Sequence, residues 1–197
     1  MEDTGTLHNR FDLILGSSSP RRKELMEQLN LEFRQQSISV DETFPQNLTG
    51  AAIPVFLAKL KAAAYARNLR QNDLLITADT VVWHKARALG KPSDASEASA
   101  MLQSLSDNWH EVITAVCCTT VEAQRVVHET THVKFRKLSP QEIWHYINSY
   151  RPLDKAGGYG IQEWIGLVGI TEIRGSYSNV VGLPTASLYE LLRAMAY

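Results

Sequence analysis

A short run of small residues leads into two adjacent arginines. The segment GSSSPRRKEL, residues 16–25, follows the apolar run FDLIL and places Arg21 and Arg22 just inside a predicted helix. A helix N-terminus already carries partial positive charge, so two cations there are unfavourable unless an anion lies beside them. Small-residue loops at helix starts bind phosphate through backbone N–H groups, and guanidinium groups add forked donors. The segment therefore indicates a phosphate site, with two ordinary surface arginines as the alternative.

Two acidic residues could act on such a phosphate. Asp79 interrupts the apolar, β-type run ITADTVV, where a carboxylate is costly unless it is paired, metal-bound or facing a cleft at a strand end. Glu42, in the loop segment SVDET, could be its partner. Carboxylates of this kind bind a divalent cation or accept a proton from water. The alternative is that Asp79 is a strand-end residue that is hydrogen-bonded to neighbouring amides.

Further polar side chains could complete the site. On the helical segment LAKLKAAAYA, Lys59 and Lys61 point in different directions, so at most one of them faces a site. Lys91, beside a proline in LGKPSD, could reach a phosphate, although most loop lysines are simply solvated. The glycines of AGGYGIQ indicate a close approach of the backbone to a ligand, or else a tight crossing of the chain. Gln162 ends this segment and offers one donor group and one acceptor group, the pattern that reads a base edge.

One motif is rejected as accidental. The segment HETTH, residues 128–132, matches the zinc-protease pattern H-E-x-x-H, which needs a helix so that both histidines share one face. The valines and threonines around it favour a strand instead. On a strand, residues four apart are separated by roughly 13 Å, so the two histidines cannot share one zinc ion.

Alternating strand and helix signals predict the elements that position these residues. Strands are expected at FDLIL, EFRQQSISV and LLITADTVVWH, helices at PRRKELMEQLN, 51–69 and ASEASAMLQSLS, and a loop at KARALGKPSD. The segments HEVITAVCCTTV and RVVHETTHVKF predict two long strands joined by a short turn. SPQEIWHYINS begins with a capping box formed by Ser139 and Glu142, and a last helix follows Pro184. Interleaved helices and strands predict an α/β fold with a mixed sheet.

Composition narrows the function class. The 197 residues carry a formal net charge of −1, with 44% hydrophobic and 21% charged residues. There is no broad basic field for binding nucleic-acid polymers, and no apolar run reaches the roughly 18 residues of a membrane span. Residues 1–10 are polar and lack a signal-peptide core, which predicts a flexible tail on a cytoplasmic protein. The adjacent Cys117 and Cys118 point to opposite faces of a strand, so a mutual disulfide is not expected.

The order of the motifs resembles one known family. Over about residues 13–192 the chain is similar to the Maf family of nucleotide pyrophosphatases in SSSPRRKELMEQL, SVDET, LAKLKA, ITADTVV, LGKPSDASEA, HEVITAV, LDKAGGYGIQ and GSYSNVVGLP. The resemblance implies an inosine-triphosphatase-like (Maf/Ham1) fold, an elongated mixed β-sheet flanked by helices with a central cleft. It implies one catalytic domain over residues 11–197, with two lobes around the cleft. It also implies metal-dependent cleavage of nucleoside triphosphates between the α and β phosphates, with Mg²⁺ or Mn²⁺.

The resemblance also implies roles for individual residues. Asp79 matches the family's catalytic aspartate, described as a proton acceptor, and Glu42 matches the acidic residue that accompanies it at the metal. The phosphate-binding residues implied in this way are Arg22, Lys61 and Lys91. The residues implied to set substrate specificity are Arg21, Thr80 and Gln162. This second set resembles the dTTP/UTP subgroup of the family and not its 7-methyl-GTP subgroup.

Several interpretations stay open at this point. The first is hydrolysis of dTTP and UTP, and of modified pyrimidine nucleotides, to the monophosphate and pyrophosphate. The second is a non-catalytic regulator of septum formation and cell division that keeps the cleft, and the third is the same chemistry on 7-methyl-GTP or another purine nucleotide. Asp79 could act as a base or as a metal ligand. The resemblance implies a nucleoside triphosphate and a second copy of the chain as partners, with neither a nucleic-acid polymer nor a membrane.

Overall fold

A computed structural model describes residues 10–196 and shows a mixed β-sheet flanked by helices. The strands are β1 (Asp12–Leu15), β2 (Arg34–Gln35), β3 (Asp73–His84), β4 (Arg87–Leu89), β5 (Trp109–Thr119), β6 (Gln124–Phe135) and β7 (Ile170–Arg174). The helices are α1 (Pro20–Gln28), α2 (Ala52–Tyr65), α3 (Ala95–Leu105), α4 (Pro140–Tyr150), α5 (Trp164–Gly169), α6 (Tyr177–Val181) and α7 (Thr185–Ala196). Of the predicted flexible tail, residues 1–9 lie outside the described residues, and Arg10 donates a hydrogen bond to the carbonyl of Ala196.

The sheet runs in the order β2-β1-β3-β5-β6-β7, and β4 pairs with β3. The pairs β1–β2 and β1–β3 are parallel, whereas the pairs of β3 with β4 and β5, of β5 with β6 and of β6 with β7 are antiparallel. The expected mixed sheet with a long central hairpin is therefore confirmed. The HETTH segment lies within β6, so the prediction of a strand there is also confirmed.

One edge of β3 is open in its middle. On that edge β1 pairs with Asp73–Ile76 and β4 pairs with Val82–His84. Residues 77–81 between these pairings have no neighbouring strand there within the described chain, while β5 covers the opposite edge of β3. The chain leaves β1 at this point and enters the loop GSSS and then α1. A cleft opens at the unpaired edge, and residues 79–82 of the motif ITADTVV line it.

Two local predictions were wrong in extent. The strand expected over EFRQQSISV is only Arg34–Gln35, because its partner β1 ends at Leu15 and offers no edge beyond that point. The loop expected at KARALGKPSD contains β4, joined to β3 by a two-residue turn at Lys85 and Ala86. Both turn residues have positive φ, 48° and 58°, a conformation usually signalled by Asn or Gly, so the hairpin carried no sequence signal.

Helices cover the two faces of the sheet unequally. The larger core cluster lies against the face covered by α1, α3, α4 and α7, and it contains Cys118. The smaller cluster lies under α2 and contains Cys117 together with Ala58 and Ala62. Because the two cysteines belong to different clusters, the prediction that they point to opposite faces is confirmed. Both are free and buried. The sheet therefore presents two chemically separate faces at the cleft, one of them covered by α2.

Gly166 is required by a close backbone approach. A Cβ atom at this position of α5 would lie 2.1 Å from the carbonyl oxygen of Ile161, in the segment that carries Gln162. Because backbone cannot rotate away as a side chain does, we expect Gly166→Ala to lower the free energy of unfolding by about 3 kcal/mol. Urea denaturation measures this change. Gly90→Ala is the matched control, since nothing lies within 4 Å of a Cβ there; equal stability of the two variants would contradict the prediction.

Candidate active site

All the predicted site residues line one cleft of about 580 Å³. They arrive from separate parts of the chain: α1, the loop after β2, α2, β3, the loop after β4, and the glycine-rich loop before α5. The residues brought together are Arg21, Arg22, Glu42, Lys61, Asp79, Thr80, Lys91 and Gln162.

Asp79 and Thr80 lie on opposite faces of the sheet, because side chains alternate along β3. Both nevertheless line the cleft, because the cleft straddles the open edge of the strand. Asp79 faces α2 and the loop that carries Glu42, which form the first wall. Thr80 faces α1 and α6, which form the second wall. The cleft thus has two walls of different chemistry, one on each side of the sheet.

A lysine bridges two carboxylates on the first wall. The Lys61 ammonium lies 2.5 Å from Asp79 Oδ1 and 2.8 Å from Glu42 Oε1. The ammonium of Lys91 lies 3.0 Å from Glu42 Oε2. Asp79 is 8% exposed and Lys61 is equally buried, whereas Lys59 is exposed on the same helix. The expectation that at most one of the two α2 lysines faces the site is confirmed.

The two lysines keep Glu42 ionised. Partial burial acts to raise the pKa of Glu42, but the hydrogen bonds and charges of Lys61 and Lys91 outweigh it and lower the pKa to about 2. The carboxylate is therefore negative throughout the neutral pH range, as a metal ligand must be.

Glu42 and Asp79 fit a divalent cation that is completed by substrate. Both carboxylates contact the same ammonium, so their oxygens lie within reach of one ion. Among residues 10–196 there is no cluster of three or more His, Cys, Asp or Glu side chains that could hold a metal on its own. Mg²⁺ is commonly held by one or two carboxylates together with substrate phosphates and water. The donor set matches that kind of site and not a closed structural one.

On the second wall, three hydrogen bonds hold the forked guanidinium of Arg22, called the Arg22 fork below. Its Nε donates to the carbonyl of Gly182 at 2.8 Å, one terminal nitrogen donates to Ser17 Oγ at 3.3 Å, and the other donates to Thr80 Oγ1 at 3.2 Å. Five N–H donors are available, so one remains on each terminal nitrogen, which is the pair that a bidentate phosphate contact uses. Burial lowers the pKa of Arg22, and the negative charge of Asp79 opposes that shift.

The start of α1 supports the phosphate interpretation. Ser19 is the N-cap, its hydroxyl accepting from the backbone N–H of Arg22, and Pro20 occupies the first helical position. Both features confirm the sequence prediction. Arg21 projects to the other side of the cleft mouth, where its guanidinium lies 3.0 Å from Asp154 Oδ2. The pair joins α1 to the glycine-rich loop.

The glycine-rich loop contains a polar network that sequence reasoning missed. Lys155 is 8% exposed, lines the cleft, and lies 2.7 Å from Asp154 Oδ1 and 3.1 Å from Glu163 Oε1. Tyr159 shares a 2.7 Å hydrogen bond with the buried His110, whose pKa burial lowers to about 3. The only sequence signal was a charged pair directly before AGGYGIQ. The network holds the loop that presents Gln162, which is exposed at the cleft mouth.

The chain is similar to proteins of one known family. The family described as Maf-like protein matches residues 12–195. A dTTP/UTP pyrophosphatase of Flavobacterium psychrophilum is 52% identical over 186 residues, covering 93% of this chain and 95% of that protein. A dTTP/UTP pyrophosphatase of Bacteroides fragilis is 49% identical over 188 residues, covering 95% and 97%. The Ham1 protein of Staphylococcus aureus superimposes with a TM-score of 0.47 at 13% identity, over 63% of this chain and 71% of that one.

Proposed function

The chain belongs to the Maf family, and from that premise we propose that it is a nucleoside triphosphate pyrophosphatase that hydrolyses dTTP and UTP to the monophosphate and pyrophosphate. The observation that carries the proposal is the cleft itself. A buried carboxylate, Asp79, lies with Lys61 on one wall, and Arg22, which donates to the neighbouring Thr80, lies on the other wall. Relatives about half identical over nearly the whole chain bear the name dTTP/UTP pyrophosphatase.

In the proposed mechanism, fixed cations hold the triphosphate and a carboxylate acts on water. Arg22 binds phosphate oxygens through its two remaining N–H groups, and Lys61 and Lys91 add point charges. Water oxygen bonds to the α phosphorus, the P–O bond to the bridging oxygen breaks, and its electron pair leaves with pyrophosphate. The cations stabilise the charge that develops on this leaving group. Asp79 orients the attacking water or accepts its proton.

Glu42 and Asp79 would hold the divalent cation, Mg²⁺ or Mn²⁺. When bound, this ion neutralises phosphate charge and polarises the reacting phosphoryl group. Lys61 links the two carboxylates in its absence, so their negative charges stay compensated in the free protein. Glu42 then acts as a metal ligand and as the anchor for Lys61 and Lys91.

Substrate choice is assigned to three residues around the cleft mouth and floor. Gln162 offers both a donor and an acceptor to a base edge, and its loop is tied to α1 through Asp154 and Arg21. Thr80 contacts Arg22 directly. We propose that Arg21, Thr80 and Gln162 together favour a pyrimidine nucleotide.

Further parts of the proposal follow from the family. Residues 11–197 form one catalytic domain with two lobes around the cleft, act in the cytoplasm on free nucleotides, and assemble as a homodimer. No helix among residues 10–196 is both long and apolar enough to cross a bilayer.

Product analysis on a nucleotide panel tests the proposed function. With Mg²⁺ or Mn²⁺, pyrophosphate should be released from dTTP and UTP at least about tenfold faster, as kcat/KM, than from CTP, ATP, GTP or 7-methyl-GTP. Chelation of the metal should abolish release, and added metal should restore it. Pyrophosphate mainly from a guanine nucleotide would keep the chemistry and overturn the specificity. Absence of turnover in folded protein would favour a non-catalytic regulator of cell division.

A further inference from the structure

A chain of hydrogen bonds leads from the Arg22 fork into the core of the sheet. Arg22 donates to Thr80 Oγ1 at 3.2 Å, and Thr80 Oγ1 lies 2.9 Å from Thr114 Oγ1 on β5. Thr114 Oγ1 in turn lies 3.0 Å from the backbone carbonyl of Asn179 on α6. Thr80 and Thr114 are direct cross-strand neighbours in the β3–β5 pairing. The chain therefore crosses two strands and ends on a short helix.

With all three contacts made as hydrogen bonds, only one assignment of donors and acceptors is possible. The carbonyl of Asn179 can only accept, so Thr114 must donate its single hydroxyl proton there. The contact between the two threonines is then donated by Thr80, because Thr114 has no second proton. Thr80 consequently keeps only lone pairs for its other neighbours, and one of these accepts from Arg22.

The far end of the chain is rigidly held. Thr114 and Asn179 are both fully buried, at 0% exposure. The Asn179 side-chain amide donates to the carbonyl of Val112 and to Thr131 Oγ1, at 2.9 Å each. These bonds fix α6 against the middle of β5 and β6. The acceptor of the Thr114 proton therefore cannot rotate away.

We propose that Thr114 is a positioning residue for the nucleotide site. By accepting the hydrogen bond that the Thr80 hydroxyl donates, it leaves Thr80 as an acceptor towards the cleft. An acceptor at this point repels phosphate oxygens and attracts the Arg22 guanidinium, so the phosphate is left to the fork. Thr80 then influences substrate choice through the orientation of Arg22 and not through a proton donated to substrate. This inference rests on the proposed function only for its kinetic readout.

A double-mutant cycle with Thr80→Val and Thr114→Val tests the inference. Each single variant should lower kcat/KM for dTTP by about tenfold, the loss expected for one buried hydrogen bond. If Thr114 acts through Thr80, the double variant should be no worse than Thr80→Val alone. A double variant showing the full product of both losses, about a hundredfold, would overturn the proposal.

Two further variants separate positioning from general damage to the core. Thr114→Ser keeps the hydroxyl and should restore wild-type kcat/KM, whereas loss equal to that of Thr114→Val would contradict a role for the proton. Thr119→Val removes another buried threonine hydroxyl of β5, outside the cleft. It should leave kcat/KM within about twofold and show no coupling to Thr80→Val.

A readout independent of turnover keeps the inference distinct from the proposed function. The Nε–H signal of Arg22 is assigned in the ¹⁵N spectrum as the signal that disappears in Arg22→Lys. In the wild type this proton should exchange slowly with solvent, because it donates to the carbonyl of Gly182. Exchange should accelerate at least about tenfold in Thr114→Val and not in Thr119→Val. Unchanged exchange would sink the positioning role, whereas a wild type that releases no pyrophosphate would sink the proposed function instead.

Discussion

Replacing Asp79 by asparagine should lower kcat for pyrophosphate release from dTTP by about a thousandfold, since a general base or a metal ligand at the reacting centre contributes on that scale. The side chain keeps its shape and its acceptor oxygen towards Lys61, so the fold should persist. What disappears is the negative charge on the floor of the cleft, 2.5 Å from the Lys61 ammonium. Initial rates at saturating nucleotide measure the effect, and thermal unfolding verifies the fold.

A second aspartate of the same strand provides the matched control. Asp73 is 1% exposed at the beginning of β3, where it pairs with Arg34 at 2.8 Å and accepts from the backbone N–H of Arg70. Asp73→Asn should therefore lower the melting temperature while leaving kcat within about threefold of wild type, because it lies outside the cleft. Asp79→Asn retaining more than a tenth of wild-type turnover, or both variants losing turnover equally, would refute the assignment.

The same variant distinguishes a base from a metal ligand. If Asp79 accepts the proton, the residual rate of Asp79→Asn should rise with hydroxide concentration, because hydroxide replaces the missing base. If Asp79 holds the cation, half-maximal activation of the variant should instead require more Mg²⁺ than in wild type. Metal titrations and pH profiles of the two proteins give these results separately.

The elements that could be predicted are those whose signals are local. The β-branched run of β3, the valines and threonines of β5 and β6, and the capping box at Ser139 and Glu142 all lie within a few residues of the structure they specify. By contrast, β2 ends where its neighbour β1 ends, and the turn before β4 uses Lys85 and Ala86 in a conformation that neither residue announces. Pairing partners and strained turns are decided by tertiary structure.

The candidate site shows the same division between residue type and arrangement. Charge in an apolar strand marked Asp79, and paired arginines after a small-residue loop marked Arg22. Sequence could not show that Asp79 and Thr80 face opposite sides of an open strand edge, because that edge is left by the separate ends of β1 and β4. The sequence also could not show that Lys155 is a buried cleft residue. Its partners Asp154 and Glu163 lie in a loop that has no helix or strand periodicity from which burial could be predicted.

The bridging of two carboxylates by one ammonium leads to the second large effect. Lys61→Met should lower the free energy of unfolding by about 3 kcal/mol, because removal of one partner from a buried ion pair leaves the other uncompensated. Asp79 is then buried without its cation, close to Glu42. The variant should also lose about a hundredfold in kcat/KM, as expected when a charged donor to the reacting phosphate is removed.

Magnesium should stabilise the folded Lys61→Met variant more than it stabilises the wild type, in which the lysine already compensates the two carboxylates. In Lys61→Met the two carboxylates repel each other, so a divalent cation that binds both stabilises the folded state by mass action. Added Mg²⁺ should therefore raise the melting temperature of Lys61→Met by several degrees more than that of wild type.

Lys59→Met is the control, since Lys59 is exposed on the same helix, two residues earlier. It should match wild type in stability, in kcat/KM and in its response to Mg²⁺. If Lys61→Met behaves like Lys59→Met in all three measurements, the ammonium does not hold Asp79 and Glu42 together, and the carboxylates do not form a shared cation site.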